Sequence, residues 1–541
     1  MAGGDVRPVQ LESIDMPPSR TPVLVVGAGP TGCVLALELA HHGVSSVIIE
    51  RAAGLPRHPE LNLVSGRGME LLRRLGLAER IRANSVDPDS QASVVWSRSI
   101  DKPPVLVTSV PSANELGRRY ATSAGGNAPI EPYVLLSGTD LTARLRDIVR
   151  EHPLIDLREG WTFTDLRLEP RRTIAAVLDG GTRTRHMIET DYLAGCDGAQ
   201  STVRRCLSVP LDAALTPEHH CTIYFRSELL TRRLPSRSTI IASGAALTRQ
   251  SGADLWIGQL PLDQDETAIT DPAALLHQRL GISLDASQIL QVTQWQEALG
   301  IARTYRRGTV YLAGQSAHRF HPPSDAIDIC LGDAIDLGWK LAAAVCRWGG
   351  PGLLVSYEAE RRQRAVLERE LLSRSLEARQ RFRRLAAAGA SRDYLADVLR
   401  EEPPQIDPAG TSPSGEYATS SVVWHDDDGT ENAPIQPGSR LPAIRTRAGH
   451  QLYDMLGPQF TLLDLTDERD GRPLVDAARS RGIPMTHLSL PDLAVRDRWR
   501  TGLLLVRPDH HVVWRTIDRP SDWGAVLDVV TGHRPQDHVN T

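Results

Sequence analysis

The sequence has little lysine, no excess of charge of one sign and no long apolar run. Lys102 and Lys340 are its two lysines, so arginine supplies nearly all of the positive charge. Its 61 basic and 66 acidic side chains give a net charge of −5, which argues against a protein that binds nucleic acid or an anionic membrane surface. No apolar stretch reaches the roughly 18 residues of a membrane-spanning helix, and the N-terminus has no basic start followed by an apolar segment. We therefore expect a cytoplasmic protein whose partners include neither nucleic acid nor a membrane.

Closely spaced cysteine pairs are also absent. The six cysteines are scattered along the chain and form no CxxC pair. This pattern argues against a disulfide framework and against a zinc ribbon, so we expect reduced thiols and no metal site. The chain has 541 residues, too many for one ordinary core, and this length predicts two or three domains.

Near the N-terminus the pattern predicts a βαβ unit that binds a nucleotide. The apolar run Val23–Val26 meets a glycine-rich turn, GAGPTG, which opens a helical stretch and is followed by a second strand that ends at Glu50. A GxGxxG turn alone is a weak signal, but this context makes it specific for a dinucleotide. Gly27 allows the tight turn, Gly29 lets backbone N–H groups approach a pyrophosphate, and Gly32 permits close helix–strand packing. The helix N-terminus favours phosphate charge, and the Glu50 carboxylate can accept hydrogen bonds from ribose hydroxyls.

Further motifs indicate a family. The segment GCDGAQS at 195–201 follows a predicted strand, and LAG at 312–314 precedes a helix that contains DAIDLGWKL at 333–341. With the GxGxxG turn, the chain from about 22 to 362 resembles the FAD-dependent aromatic hydroxylases, the class A flavoprotein monooxygenases. The segment from PGSRLP at 437–442 to Arg515 resembles the thioredoxin-like C-terminal domain of the subgroup that acts on phenols and polyketides. No cysteine follows Cys346, so this domain cannot do dithiol chemistry, and we expect it to be structural or to form a homodimer.

The resemblance implies an α/β fold with a Rossmann-type FAD-binding domain, an inserted mixed β-sheet substrate domain and a thioredoxin-like C-terminal domain. We predict FAD-binding segments at 20–90, 136–205 and 291–400, substrate-sheet segments at 91–135 and 206–290, a linker at 401–436 and the thioredoxin-like domain at 437–541. The patterns also predict helices over 67–84, from near Leu331 to about Cys346, and over 356–390.

The resemblance also assigns residues to the cofactor. In the family the first motif binds the ADP half of FAD, two arginines lie near the pyrophosphate, and an Asp-Gly pair touches the flavin side chain and is linked to NAD(P)H handling. The matching residues are Gly27, Gly29, Gly32 and Glu50 for the ADP half, Arg51 and Arg67 for the arginines, and Asp197 and Gly198 for the pair.

The flavin-ring end departs from the family pattern. Family members end the strand with Gly-Asp, whose Asp binds the ribityl chain, whereas this chain has Gln315. Their glycine-rich loop, whose backbone approaches the isoalloxazine ring, is replaced by PPSDAIDICL at 322–331. Glu60 stands where the family usually has Arg, and Gly138 where it usually has Gln. Four departures on one face of a cofactor indicate altered chemistry there.

Two acids of the altered loop would oppose the negative charge of a reduced flavin. One carboxylate about 4 Å from that charge would cost about 4 kcal/mol at an effective dielectric near 20, which would handicap hydride acceptance and oxygen activation. The alternative interpretation is that Asp325 and Asp328 simply cap the following helix, and that His318 packs the loop. We expect His318, Asp325 and Asp328 to border the cavity, and the sequence identifies no catalytic residue.

Three hypotheses remain open. The chain is a tailoring enzyme for a polyketide-type small molecule that catalyses a redox-neutral cyclisation, cycloaddition or rearrangement, with FAD absent or only structural. Alternatively, it is an NAD(P)H- and FAD-dependent aromatic or polyketide monooxygenase, or an inactive homologue that serves as a binding subunit. The altered loop favours the first hypothesis, the family as a whole favours the second, and the retained nucleotide motif argues against the third.

Overall fold

A computed structural model describes most of the chain. The described residues are 19–55, 61–123, 126–213, 219–234, 238–250, 254–262, 269–283, 288–296, 298–321, 326–402, 408–410, 417, 419–424, 434–446, 448–467, 470–516 and 522–534. The strands are β1 (Ser19–Val26), β2 (Ser46–Glu50), β3 (Leu61–Val64), β4 (Ala92–Ser97), β5 (Leu106–Val110), β6 (Val134–Ser137), β7 (Ile155–Glu159), β8 (Trp161–Glu169), β9 (Arg172–Asp179), β10 (Arg185–Gly195), β11 (Leu211–Ala213), β12 (His219–Arg226), β13 (Ser238–Ile241), β14 (Ala246–Arg249), β15 (Leu255–Pro261), β16 (Ile289–Gln296), β17 (Ala298–Ala302), β18 (Arg306–Arg307), β19 (Val310–Leu312), β20 (His318–His321), β21 (Phe460–Asp464), β22 (Met485–Ser489), β23 (Leu503–Val506) and β24 (Val512–Thr516). The helices are α1 (Pro30–His41), α2 (Gly66–Arg74), α3 (Ala78–Arg82), α4 (Ala113–Thr122), α5 (Gly138–Glu151), α6 (Thr202–Cys206), α7 (Glu228–Arg233), α8 (Pro272–Leu280), α9 (Ala326–Val345), α10 (Pro351–Ala387), α11 (Arg392–Arg400), α12 (Arg472–Ser480), α13 (Leu493–Trp499) and α14 (Trp523–Val530).

The predicted βαβ unit forms the centre of the largest sheet. Its strands follow the order β18-β19-β10-β1-β2-β7, and β9 and β8 extend it in antiparallel fashion from β10. Strands β19, β10, β1, β2 and β7 are parallel, so their carboxyl ends lie at one edge. The strand residues Val23–Val26 are buried, as expected for a central parallel strand that is covered on both faces.

A second sheet carries the inserted segments. It has the mixed order β16-β12-β15-β14-β13-β4-β5, in which β13 and β4 are parallel. On one face Cys221, Ile223 and Phe225 alternate with residues of the opposite face and pack against Leu275 and Leu276 of α8. Part of the opposite face is covered by the ends of α10 and α11. Two small sheets, β11-β17-β20 and β3-β6, complete this part of the fold.

The C-terminal strands form a four-stranded sheet in the order β22-β21-β23-β24, with β21 and β22 parallel. Its core is shared with the FAD-binding part, because Trp339 of α9 lies in the same buried cluster as Phe460 of β21. The two rings meet edge to face with centroids 5.9 Å apart. The C-terminal domain therefore packs directly on α9.

Helix bounds differ from the sequence predictions at three places. The single helix predicted over 67–84 is wrong, because the chain breaks between α2 and α3, where Gly76 adopts a left-handed φ of +72°. Helix α9 begins at Ala326, five residues before the predicted start near Leu331. Helix α10 begins at Pro351, where proline at the first helical position is favourable. Among the helices of the described ranges, none combines the length and the apolarity needed to cross a bilayer.

Candidate functional site

The three motifs singled out in the sequence meet at the carboxyl edge of the largest sheet. Val26 of β1, Gly195 of β10 and Leu312 of β19 lie side by side in register. The Cys196 N–H donates to the Val26 carbonyl at 2.8 Å, and the Ala313 N–H donates to the Gly195 carbonyl at 3.0 Å. In open parallel α/β sheets ligands bind in the crevice outside this edge. We call this region the cofactor crevice.

The three glycines of the first motif differ in what surrounds them. Gly27 has a φ of +103°, and a Cβ there would lie 2.5 Å from the Cys196 carbonyl oxygen. A Cβ at Gly32 would lie 1.9 Å from the Gly27 carbonyl oxygen. A Cβ at Gly29, by contrast, would meet no atom within 4 Å. Gly27 and Gly32 are therefore needed by the fold, whereas the open space beside Gly29 fits the close approach of a pyrophosphate.

Glu50 is fixed at the end of β2 beside this turn. Its carboxylate accepts hydrogen bonds from the Ala28 N–H at 2.9 Å and the Ala52 N–H at 3.0 Å, and it pairs with Arg146 at 3.4 Å. Arg146 also donates to the Ala28 carbonyl at 2.8 Å and is 2% exposed. Sequence reasoning missed Arg146. The available signal was an arginine on the apolar face of α5, next to Leu145.

The two arginines expected near the pyrophosphate have different surroundings. Arg51 is exposed at the end of β2. Arg67 donates to the Asp509 carbonyl at 2.8 Å and to Glu70 at 3.2 Å, so its guanidinium contacts the C-terminal domain. The role assigned to both arginines at the pyrophosphate stays a prediction.

Asp197 has a carboxylate oxygen that could accept a further hydrogen bond, and Gly198 has open space where a side chain would stand. One carboxylate oxygen of Asp197 accepts the Thr202 and Val203 N–H groups at 2.6 and 3.1 Å. Its other oxygen, Oδ1, is buried and has no hydrogen-bond partner in the described part of the chain. Gly198 has a φ of +80° and open space at its Cα. A buried carboxylate oxygen with free lone pairs fits a hydroxyl donor such as that of a sugar or ribityl chain.

Just after β19, the carboxylate of Asp333 on α9 binds both a backbone N–H group and the side chain of His318. The Gly314 N–H and His318 Nε2 both lie 2.9 Å from Asp333 Oδ2. Burial would raise the pKa of Asp333, but the Arg361 guanidinium and His318 outweigh it and hold the pKa below its usual value. His318 is 1% exposed and its Nδ1 has no hydrogen-bond partner within the described ranges. The side chain of Gln315, in contrast, is exposed.

Asp328 faces the start of α2. The Ser65 N–H lies 3.3 and 3.2 Å from its two carboxylate oxygens. Burial raises the pKa of Asp328 to about 7, and the hydrogen bonds from Ser65 oppose this only in part. Asp325 and Glu60 lie outside the described residues, as does loop segment 322–325, so the predictions made for them have no structural counterpart here.

Comparison with known proteins identifies the family. A family model described as "FAD binding domain" matches residues 20–369, more than half of the 541-residue chain. A second, described as "Aromatic-ring hydroxylase, C-terminal", matches residues 435–533. The chain belongs to the FAD-binding aromatic-ring hydroxylases. The predicted family and fold class are thereby confirmed, whereas a degenerate flavin-ring site stays a hypothesis.

Relatives of this family member cover nearly its whole length. "FAD-dependent monooxygenase apdD" of Emericella nidulans is 26% identical over 91% of this chain and 87% of its own. The solved structure of "the rebeccamycin biosynthetic enzyme RebC with reduced flavin" is 26% identical, covers 95% of this chain and 100% of its own, and superposes with a TM-score of 0.81. Aklavinone-11 hydroxylase, solved with FAD and aklavinone, is 25% identical over 96% of this chain and 100% of its own, with a TM-score of 0.77. The chain thus carries an FAD-binding domain and shares its fold with these enzymes over nearly its whole length.

The face of the second sheet opposite α8 carries aromatic and polar side chains. The rings of His220 and Trp295 stack with centroids 4.5 Å apart, and the Trp295 N–H donates to the Thr222 hydroxyl at 2.7 Å. These rings and Gln259 line a cavity of about 60 Å³ whose other wall is α10. This sheet carries the predicted substrate-sheet segments 91–135 and 206–290, and its face opposite α8 offers a flat aromatic surface.

Proposed function

We propose that this chain is a tailoring enzyme for polyketide-type aromatic or polycyclic small molecules and that it catalyses a redox-neutral ring closure, cycloaddition or rearrangement. In this function FAD is held through its ADP half and has no redox role. The observation that carries the proposal is the position of Asp328 at the start of α9, where its carboxylate accepts from the Ser65 N–H.

The residues of the cofactor crevice fit the ADP half of FAD. Gly29 and the N-terminus of α1 would hold the pyrophosphate, and Glu50 keeps lone pairs for the ribose hydroxyls beside its backbone partners. Asp197 Oδ1 is a buried acceptor that a hydroxyl of the flavin side chain would satisfy. These features support binding of the cofactor independently of any redox step.

The start of α9 supports the redox-neutral function. Bound FAD would supply hydride acceptance and oxygen activation, and both require negative charge to be stabilised beside the ring. Here burial raises the pKa of Asp328 to about 7 although the Ser65 N–H donates to it, so this environment stabilises negative charge poorly. Gln315 provides a neutral side chain where the family usually has an acid. A redox-neutral reaction needs only a shaped cavity and a few oriented polar groups.

A second candidate function is an NAD(P)H- and FAD-dependent monooxygenase. It is favoured by the relative apdD, which is named an FAD-dependent monooxygenase, and by the FAD in the aklavinone-11 hydroxylase structure. The cofactor crevice supports it equally well, because both functions need the same ADP site.

The purified protein can distinguish the two functions. We would record its flavin absorbance, titrate FAD by fluorescence, and measure NADPH and NADH oxidation with FAD bound, in the presence of aklavinone and chromopyrrolic acid as polycyclic probes. A redox-neutral enzyme oxidises neither nucleotide faster than free FAD does. Probe-stimulated oxidation of either nucleotide would overturn the proposal and establish the monooxygenase.

The variant Gln315→Asp provides a matched comparison. It restores the acid that family members have at the end of β19, where the side chain is exposed. We expect it to strengthen FAD binding about tenfold through one charge-assisted hydrogen bond, without creating NADPH oxidation. Appearance of oxidation in this single variant would show that Gln315 alone suppresses the redox reaction.

A further inference from the structure

The C-terminal domain reaches α9 through a buried cluster of charged side chains. Arg507 follows β23 and donates to Glu360 of α10 at 2.8 and 3.0 Å and to Asp336 of α9 at 3.3 Å. The exposed fractions of Arg507, Glu360 and Asp336 are 1%, 2% and 1%. Buried charges of this kind persist only when they are paired. We call these side chains, with Lys340 and Asp509, the interdomain charge cluster.

Arg507 supplies one of the two positive charges that offset the carboxylates of the interdomain charge cluster. It holds three carboxylates, those of Asp336, Glu360 and Asp509, and two cations. Lys340 donates to Asp336 at 2.9 Å and to Glu360 at 2.7 Å, and Arg507 Nε donates to Asp509 at 3.0 Å. Burial would raise the pKa of Glu360, but Arg507 and Lys340 outweigh it and lower the pKa to about 2. Without Arg507, three buried carboxylates would share one cation.

A second set of contacts lies one helical turn nearer the crevice. Asp333, three residues before Asp336 on α9, accepts a hydrogen bond from Arg361 Nε at 2.7 Å. Arg361 also donates to the Tyr417 hydroxyl at 2.8 Å. The Arg507 guanidinium carbon lies 5.0 Å from the centre of the Tyr417 ring. The two sets of contacts therefore meet at Tyr417 and Arg507.

This second set ends inside the cofactor crevice. The Asp333 carboxylate that accepts from Arg361 also holds the Gly314 N–H and His318. Gly314 has a φ of +63°, and a Cβ there would lie 2.5 Å from the Thr31 hydroxyl of the GxGxxG turn. A displacement of α9 would thus move Asp333 and, with it, the backbone of Gly314 against the turn.

We propose that Arg507 is a positioning residue for the cofactor crevice. It holds α9 where Asp333 fixes the Gly314 backbone and the His318 ring, and so gives the C-terminal domain a role in shaping the FAD site. The inference goes beyond the proposed function, since it holds for a redox-neutral enzyme and a monooxygenase alike, but its affinity readout rests on the proposed binding of FAD.

The test compares full-length Arg507→Met with a control that disturbs the same domain elsewhere. Asp464→Asn is that control, because Asp464 is fully buried and its hydrogen-bond partners Thr466, Gly471 and His487 all belong to the C-terminal domain. Both variants should lower the unfolding temperature. We would measure amide hydrogen exchange over 314–320 and 326–345, and the affinity for FAD by fluorescence titration, well below that temperature.

In Arg507→Met we expect exchange over 314–320 to accelerate and FAD affinity to fall, each about tenfold. Arg507→Lys should recover part of both effects, whereas Asp464→Asn should change neither. Equal changes in Arg507→Met and Asp464→Asn, or a loss of thermal stability alone in Arg507→Met, would overturn the proposal.

Two provisions keep the test decisive. If Arg507→Met does not fold, Tyr417→Phe removes only the hydroxyl that Arg361 contacts, and we expect the same two changes at smaller size; their absence would count against the proposal. If the unmodified protein binds no FAD, the cofactor part of the proposed function fails. The exchange measurement still decides the role of Arg507 in that case.

Discussion

At the scale of single residues, Gly29 separates cofactor binding from folding. Gly29 has a φ of −75°, which any residue adopts, and its Cβ position is open. We expect Gly29→Ala to change the free energy of unfolding by less than about 1 kcal/mol and to weaken FAD binding at least about tenfold, because the methyl group enters the space for the pyrophosphate. The matched variant Gly32→Ala should lose about 3 kcal/mol of stability, because its methyl group collides with the Gly27 carbonyl. Unchanged FAD affinity in Gly29→Ala would contradict the assigned role.

Asp328 makes the stability of the protein depend on pH. Burial raises its pKa from 3.8 to about 7, so between these values the folded protein binds a proton that the unfolded chain releases. The contribution of Asp328 to stability therefore falls by at most about 4 kcal/mol as the pH rises from about 4 to 7, and this contribution is constant outside that window. We expect Asp328→Asn to remove this component. The measurement is the difference in urea unfolding free energy between the two proteins from pH 4 to 8, and a difference that does not vary with pH would contradict the raised pKa.

At the scale of secondary-structure elements, the packing of α9 on α1 limits residue size. A Cβ at Gly338 of α9 would lie 2.5 Å from Glu38 Cγ on α1. Glu38 cannot move aside, because Arg74 binds it at 2.5 and 2.7 Å. We expect Gly338→Val to destabilise the protein by about 2 to 3 kcal/mol and to weaken FAD binding, since both helices border the crevice. Val355→Ala, at an exposed position of α10, serves as the control in thermal unfolding, and equal melting of the two variants would contradict this account.

The secondary-structure elements also show which features of the fold could be predicted from the sequence. The βαβ unit could be predicted because strand, glycine turn and helix are specified by neighbouring residues, and the glycines act through local backbone geometry. The split between α2 and α3 could have been read from Gly76, but apolar periodicity continues across it. Arg146 could have been noticed from its place on the apolar face of α5, but its partner could not be predicted, and neither could that of Asp333. Ala28 and Gly314 become their neighbours only when distant segments pack together.

At the scale of the whole molecule, the C-terminal domain is not an independent unit. Its buried core includes Trp339 of α9 and Trp348, whose ring centroid lies 5.8 Å from that of Phe460. The interdomain charge cluster lies beside this core, and separating the two parts would expose apolar surface while it left buried carboxylates without Arg507. A large apolar interface of this kind couples two domains, in contrast to the small polar interfaces that let domains move independently.

We therefore expect a single cooperative unfolding transition for the full-length chain. Calorimetry, tryptophan fluorescence and release of bound FAD should give the same midpoint, because Trp339 belongs to the shared core and α9 borders the crevice. Arg507→Met should lower this common midpoint, and only a strong loss of interdomain contact would split the transition in two. A C-terminal domain that was connected only through the predicted linker 401–436, without contacts to α9, would behave differently. It would melt on its own while FAD stayed bound, and two separate midpoints in the unmodified protein would show that α9 is held without the C-terminal domain.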